Sequence, residues 1–167
     1  MLACLDVDYT PERVCAACVT FADWGSAEPI AEYTARVPPG AAGDYVPGEF
    51  YKRELPALLA VLAEVDLTRI DTLIVDGYVW LGAERPGLGK HLYAALQGGH
   101  PVVGVAKNPF AGNTEAAAIH RGDSLKPLYI TVEGCDLLDA AARVKGMHGP
   151  YRFPTQLRRA DQACRAG

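Results

Sequence analysis

No apolar run in this chain approaches the ~18 residues that a membrane-spanning helix needs, and no basic segment precedes its first apolar stretch as a secretory signal requires. Membrane residence and export are therefore not expected. No glycine-rich turn follows the first strand-like segment. Gly87-Leu-Gly89 lies far downstream and lacks the third glycine, which argues against a dinucleotide-binding fold. Cysteine is scarce and unpaired in pattern: Cys4, Cys15, Cys18, Cys135 and Cys164 form an odd, scattered set, which reads as reduced thiols in a cytoplasmic protein. Cys15-Ala-Ala-Cys18 has redox or zinc spacing, yet no second close pair exists to complete a zinc site. On a strand, residues three apart face opposite ways, so two packing cysteines are expected there. Internal repeats, low-complexity tracts and long linkers are also missing. A single domain over residues 1–167 is the expectation, in a chain long enough for one proper core.

What the chain does contain is three acidic residues in apolar surroundings. Asp6 interrupts an apolar first strand, Asp76 closes the strongly apolar Leu73-Ile-Val-Asp76, and Glu54 lies on the apolar side of a helix. A buried carboxylate is costly unless it is paired, protonated or bound to metal. Three converging on one site would cage a hard divalent cation such as Mg²⁺, with Mn²⁺ as the alternative. Lys107, at the end of Val102-Val-Gly-Val-Ala-Lys107, adds a cation beyond another apolar strand. Together these residues suggest metal-assisted phosphodiester chemistry. A solvated Glu54 and a surface Lys107 remain open on the residues alone.

The net charge of −4 is divided unevenly. Residues 1–102 carry 7 Lys/Arg against 14 Asp/Glu, a balance of −7, and residues 103–167 carry 9 against 6, a balance of +3. An acidic half that holds metal beside a basic half that grips phosphates is compatible with a nuclease, as it is with ordinary surface charge.

Periodicity places strands near residues 2–9, 14–21 and 30–37, joined by connections short enough for an antiparallel meander. A helix is expected over 49–65, with Phe50, Leu58, Leu62 and Val65 on one stripe and Glu54 among them. A strand at 72–75, a glycine-rich irregular stretch, a helix near 89–96 and a strand at 102–106 then suggest parallel pairing. Residues 108–124 read as loop with a short helix, 127–132 as the last strand, 135–145 as a helix, and the tail as ending in a short helix. This order is that of an α/β, ribonuclease H-like mixed sheet: an antiparallel three-strand meander followed by parallel strands, flanked by helices. Asp6 falls mid-strand and Asp76 at a carboxyl end, where open α/β sheets place their ligand crevices.

With those positions set, the chain resembles the endonuclease V family, nucleases that cut near deaminated bases such as hypoxanthine. Leu5-Asp6-Val7 is similar to the family's first-strand aspartate motif, and Tyr45-Val-Pro-Gly48 to its wedge segment beside the damaged base. Arg53-Glu54-Leu55-Pro56 matches Arg-Glu-x-Pro, Asp76-Gly77 the Asp-Gly pair, Gly104-Val-Ala-Lys107 the Gly-Val-Ala-Lys string, and Arg158-Arg-Ala-Asp161 the terminal Arg-x-Ala-Asp. The stretch after Asp76-Gly77 lacks the family's two histidines, and its later Gly-His is Gly134-Cys135 here. The family's leader before the first strand is also absent, so a compact, divergent member is expected.

The resemblance implies roles. Asp6, Glu54 and Asp76 would be both metal ligands and catalytic residues, and Lys107, also catalytic, would stabilise charge at the phosphate or position the water. Tyr45, Pro47, Gly77 and Arg158 would contact substrate, with Tyr45 stacking where the strand opens. Phosphate contacts are expected from Arg121, Lys126, Arg158 and Arg159. Asp8, on the face of Asp6, is either an accessory ligand or a solvated side chain. The expected partner is inosine-containing DNA or RNA, met by a cytoplasmic monomer without membrane contact. The missing histidines leave open a weakened relative that binds nucleic acid without efficient cleavage.

Overall fold

A computed structural model describes residues 1–39 and 51–167. The chain begins with three strands, β1 (Leu2–Thr10), β2 (Arg13–Phe21) and β3 (Ala31–Val37), which pair antiparallel as a meander. Helix α1 (Tyr51–Leu62) leads through a 3-10 turn into β4 (Thr72–Asp76), then a small hairpin of β5 (Trp80–Gly82) and β6 (Arg85–Pro86), then α2 (Leu88–Ala95) and β7 (Val102–Ala106). Strands β8 (Ala117–Ile119) and β9 (Leu128–Glu133) and helices α3 (Leu137–Lys145) and α4 (Thr155–Ala166) complete the order.

Seven strands form one sheet in the order β3-β2-β1-β4-β7-β9-β8. The β1–β4 and β4–β7 pairs are parallel: α1 returns the chain from β3, which runs in the direction of β1, to β4, and α2 returns it from β4 to β7. This is the ribonuclease H-like mixed sheet that the element order implies. Its far side differs from expectation: β9 runs antiparallel to β7. The intervening residues form β8 and loops rather than a crossover helix, so the chain turns back instead of crossing over. The irregular stretch after Asp76 is the β5–β6 hairpin, and the tail forms a twelve-residue helix.

Both faces of the sheet are covered. Helices α1 and α2 bury Leu58, Val61 and Leu92 against Leu5, Cys18 and Leu73. Helices α3 and α4 bury Val144 and Leu157 against Cys4, Val19, Ile74, Val103 and Ile130. Strand β2, covered on both sides, is buried from Val14 to Phe21, which is why it reads as a continuous apolar run. Within it Cys15 packs beside Cys164 of α4 while Cys18 faces the α1 side, the opposed orientation expected of strand positions three apart. All five thiols are free. Among the described residues no helix is long and apolar enough to cross a membrane.

Candidate active site

Parallel register brings the two aspartates together. Leu5 pairs with Val75, so the next residues, Asp6 and Asp76, leave neighbouring strands side by side, about 4.8 Å apart in the pairing direction. Glu54 arrives from α1, one turn before the buried Ala57 and Leu58, so the stripe that docks the helix also aims this carboxyl at the strand ends. The three groups feel one another. Burial, then the Asp76 charge, lifts Asp6 from 3.8 to about 7, against the pull of the Val7 amide, which donates to its Oδ1 at 2.8 Å. Burial, then Asp6 and Asp76, lifts Glu54 to about 8. Burial raises Asp76 too, held back by Lys107, whose Nζ lies 2.7 Å from Oδ2. The same ammonium sits 4.1 Å from the centre of the Phe153 ring, a second favourable contact that fixes its position.

Two glycines make this geometry possible. Gly77 adopts φ +140°, a conformation that L side chains rarely take, and so ends β4 directly after Asp76. The turn it starts lies flat across β7. A Cβ on Gly104 would stand 2.6 Å from the Gly77 carbonyl oxygen and 2.7 Å from the Val79 nitrogen. Thr131 Oγ1 of β9 accepts the Val79 N–H at 2.8 Å and anchors the turn. The glycines of the Asp-Gly and Gly-Val-Ala-Lys strings therefore serve packing, and place Asp76 and Lys107 within ion-pair distance.

Beyond the carboxylates opens a cavity of about 280 Å³. Its lining includes Glu54, Asp76, Gly77, Leu81, Leu88 and Phe110. Glu54, Asp76 and Gly77 thus share one recess. The β5–β6 hairpin walls it, and is pinned by Trp80 Nε1 donating to Glu133 at 2.9 Å and by Asn113 donating to the Trp80 carbonyl at 2.9 Å. Where the family resemblance called for histidines, Tyr78 instead donates its hydroxyl to the Asn108 carbonyl at 2.6 Å.

A closed cage does not form: among the described residues no three His, Cys, Asp or Glu side chains gather as ligands for one ion. Like charges repel, and Lys107 draws Asp76 toward itself. The donor set still suits a hard cation. It consists of carboxylate oxygens, half-buried and crowded with their own charge, and Mg²⁺ needs only one or two of them beside water and phosphate. A further carboxylate escaped selection from the sequence. Asp161 on α4, which packs on β1 and β2, raises both Asp6 and Asp76 by its charge. The terminal Arg-x-Ala-Asp string was the available signal.

Other expectations need correction. Arg121 is buried, at 5% exposure, and is no phosphate ligand. Its guanidinium donates to the carbonyls of Lys145, Met147, Gly149, Tyr151 and Arg152. Arg159 is engaged by Glu28 at 3.3 Å and Glu32 at 3.5 Å. Asp8 pairs with Arg13 at 3.7 Å rather than extending the carboxylate cluster. Arg158 remains at the surface with its guanidinium 4.6 Å from the centre of the Tyr151 ring. Tyr45 and Pro47 lie outside the described residues.

Comparison with known proteins follows the same lines. A family model described as endonuclease V matches residues 1–162. Endonuclease V of Streptomyces coelicolor is 34% identical over 185 residues, spanning 97% of this chain and 76% of that protein. The crystal structure of Streptomyces avermitilis endonuclease V superposes with a TM-score of 0.79 at 30% identity, over 99% of this chain and 79% of that one. Ciona intestinalis endonuclease V, solved with a 24mer DNA containing an inosine followed by a ribo-adenosine, has a TM-score of 0.80 at 19% identity, over 99% and 84% of the two chains. That last likeness is one of fold.

Proposed function

Because this chain belongs to the endonuclease V family and is a nuclease, we propose that it hydrolyses a phosphodiester near a deaminated base, inosine or deoxyinosine, as a step in nucleic-acid repair. The observation that carries the reading is the placement of Asp6 and Asp76 on neighbouring parallel strands, with Lys107 paired to Asp76 and with Glu54 and Asp76 lining one apolar-walled cavity.

Asp6, Glu54 and Asp76 would hold the divalent cation, Mg²⁺ or Mn²⁺. Such an ion, when bound, supplies a lowered water pKa and neutralises phosphoryl charge. Lys107, pinned between Asp76 and the Phe153 ring, presents a point charge to a phosphate oxygen without reorganising during the reaction. The cavity lined by Leu81, Leu88 and Phe110 would receive the base once it leaves its stack. Gly77, in that lining, lets the backbone approach a flat ring closely. Tyr45 and Pro47 would hold the opened strand, and Arg158 a flanking phosphate. Five free thiols fit action in a reducing compartment, the cytoplasm.

One observation favours a second reading, binding without efficient cleavage: among the described residues no histidine lines the cavity, and Tyr78 is committed to Asn108. Single- and double-stranded DNA and RNA, with inosine or guanosine at one position, separate the readings when incubated with Mg²⁺ or Mn²⁺. Cleavage near inosine alone supports the nuclease reading. Selective binding of inosine without cleavage supports the second, and indifference to inosine sinks both.

A further inference from the structure

Tyr151 is 60% exposed, yet it is held rather than loose. Its carbonyl accepts from Arg121 Nη1 at 2.8 Å, and that buried guanidinium also gathers the carbonyls of Lys145, Met147, Gly149 and Arg152. Backbone from a second segment presses on the same turn: a Cβ on Gly122 would lie 2.3 Å from the Pro150 carbonyl oxygen. One face of the Tyr151 ring is occupied by Arg158, 4.6 Å from its centre. Arg158 has no acidic partner among the described residues, so stacking alone positions its charge. A large exposed ring on a rigid turn, backed by an unneutralised cation, makes no contribution to the core.

Its location is defined by its neighbours. Two residues on, Phe153 lies under the Lys107 ammonium at 4.1 Å, and Arg152 donates to the Lys107 carbonyl. Two residues of chain span at most about 7 Å, so the Tyr151 backbone is within a few nucleotides' reach of any phosphate that meets Lys107. Arg152 also holds the Pro127 carbonyl at 2.6 Å, which brings Lys126 to the same edge. Aromatic rings interleaved with cations along a backbone-wide track are how proteins hold single strands without reading sequence.

We propose that Tyr151, braced by Arg158, is a stacking platform for one unpaired base of the substrate strand, flanking the nucleotide that Lys107 addresses. This deepens the nuclease reading and rests on it for the identity of the strand. The platform supplies affinity and register along the strand, while inosine is sensed in the cavity beside Asp76. Stacking on a pre-held ring loses little side-chain freedom on binding, which is the advantage of bracing it.

The experiment uses the whole chain and fluorescent single-stranded oligonucleotides carrying one inosine, with abasic residues placed in turn at each flanking position. Tyr151→Ala should weaken binding of the intact oligonucleotide about 5- to 150-fold, the range of one base–aromatic stack. Tyr151→Phe, which keeps the ring, should stay within about twofold of wild type. One abasic position should lower wild-type affinity to that of Tyr151→Ala and leave Tyr151→Ala unchanged. Equal affinity of Tyr151→Ala and wild type overturns the platform, as does a loss that no abasic position reproduces. Thermal melts of both variants distinguish a folding defect, and Tyr151→Phe decides the matter if Tyr151→Ala unfolds. If wild type binds inosine and guanosine strands alike while the abasic signature persists, the platform stands and the deaminated-base reading falls.

Discussion

Asp6→Asn tests the carboxylate cluster by removing one negative charge with almost no change of shape. Asparagine Oδ1 can still accept the Val7 amide that Asp6 accepts at 2.8 Å. In the folded chain Asp6 titrates at about 7 instead of 3.8, because of burial and then Asp76. It holds its proton more tightly folded than unfolded. Its neutral form therefore contributes stability below about pH 4, and that contribution is lost as pH rises through about 7. Three units correspond to roughly 4 kcal/mol as an upper bound, and partial solvent access reduces this to about 2 kcal/mol. Asn at this position is neutral at every pH. In EDTA, wild type and variant should melt together near pH 4. By pH 8 the variant should melt about 4–8 °C higher, at the 2–4 °C per kcal/mol usual for a chain of this size. Excess Mg²⁺ should stabilise wild type, by about 2.7 kcal/mol at a hundredfold over Kd, stabilise the variant less, and support cleavage by wild type alone. Parallel melting of the two proteins from pH 4 to 8, or a less stable variant at pH 8, would refute the account of a repulsive, cation-requiring cluster.

Three further outcomes are expected. Gly104→Ala places a methyl 2.6 Å from the Gly77 carbonyl oxygen, and should cost about 1–3 kcal/mol in urea denaturation while reducing cleavage by displacing Asp76; wild-type values for both would show that the turn yields freely. Arg121→Met strands the five carbonyls that the guanidinium satisfies, and a loss of about 3 kcal/mol in chemical denaturation is expected, with salt dependence of nucleic-acid binding unchanged. Tyr45→Ala should lose discrimination between inosine and guanosine strands more than general affinity, and equal weakening of both in paired binding assays would mark Tyr45 as loop packing.

The sequence was most legible where one signal had one physical cause. The apolar run of β2 and the stripe of α1 each reflect burial, and the elements appear where those patterns lie, while β1 is buried on both faces from Leu2 to Leu5 rather than alternately. Asp6, Glu54, Asp76 and Lys107 stood out because charge in apolar surroundings demands a reason; Asp6 and Asp76 end neighbouring strands and Lys107 pairs with Asp76, though the three carboxylates do not close into one ligand set among the described residues. What escaped depended on partners distant in sequence. Nothing local marks Arg121 as buried, since its five acceptors lie 24 to 31 residues away. Asp161 stood in the terminal Arg-x-Ala-Asp string, but nothing local showed that α4 brings its charge to bear on Asp6 and Asp76. The direction of β9 was likewise set by β8, a three-residue edge strand too short to show a period.

Arg121 also changes how the basic half of the molecule should be counted. Wrapped in backbone oxygens, its guanidinium resembles an ion inside a crown ether: solvated by dipoles, sealed from water and without a counter-ion among the described residues. A nucleic acid approaching this face meets no exchangeable ion there, so none is released when it binds. Arg159, engaged by Glu28 and Glu32, is similarly withdrawn. The charge tallied along residues 103–167 thus overstates what the surface offers to phosphates. A counter-ion release measurement on this protein should register the few cations left outside, Lys126 and Arg158 among them, and remain blind to the one sequestered within.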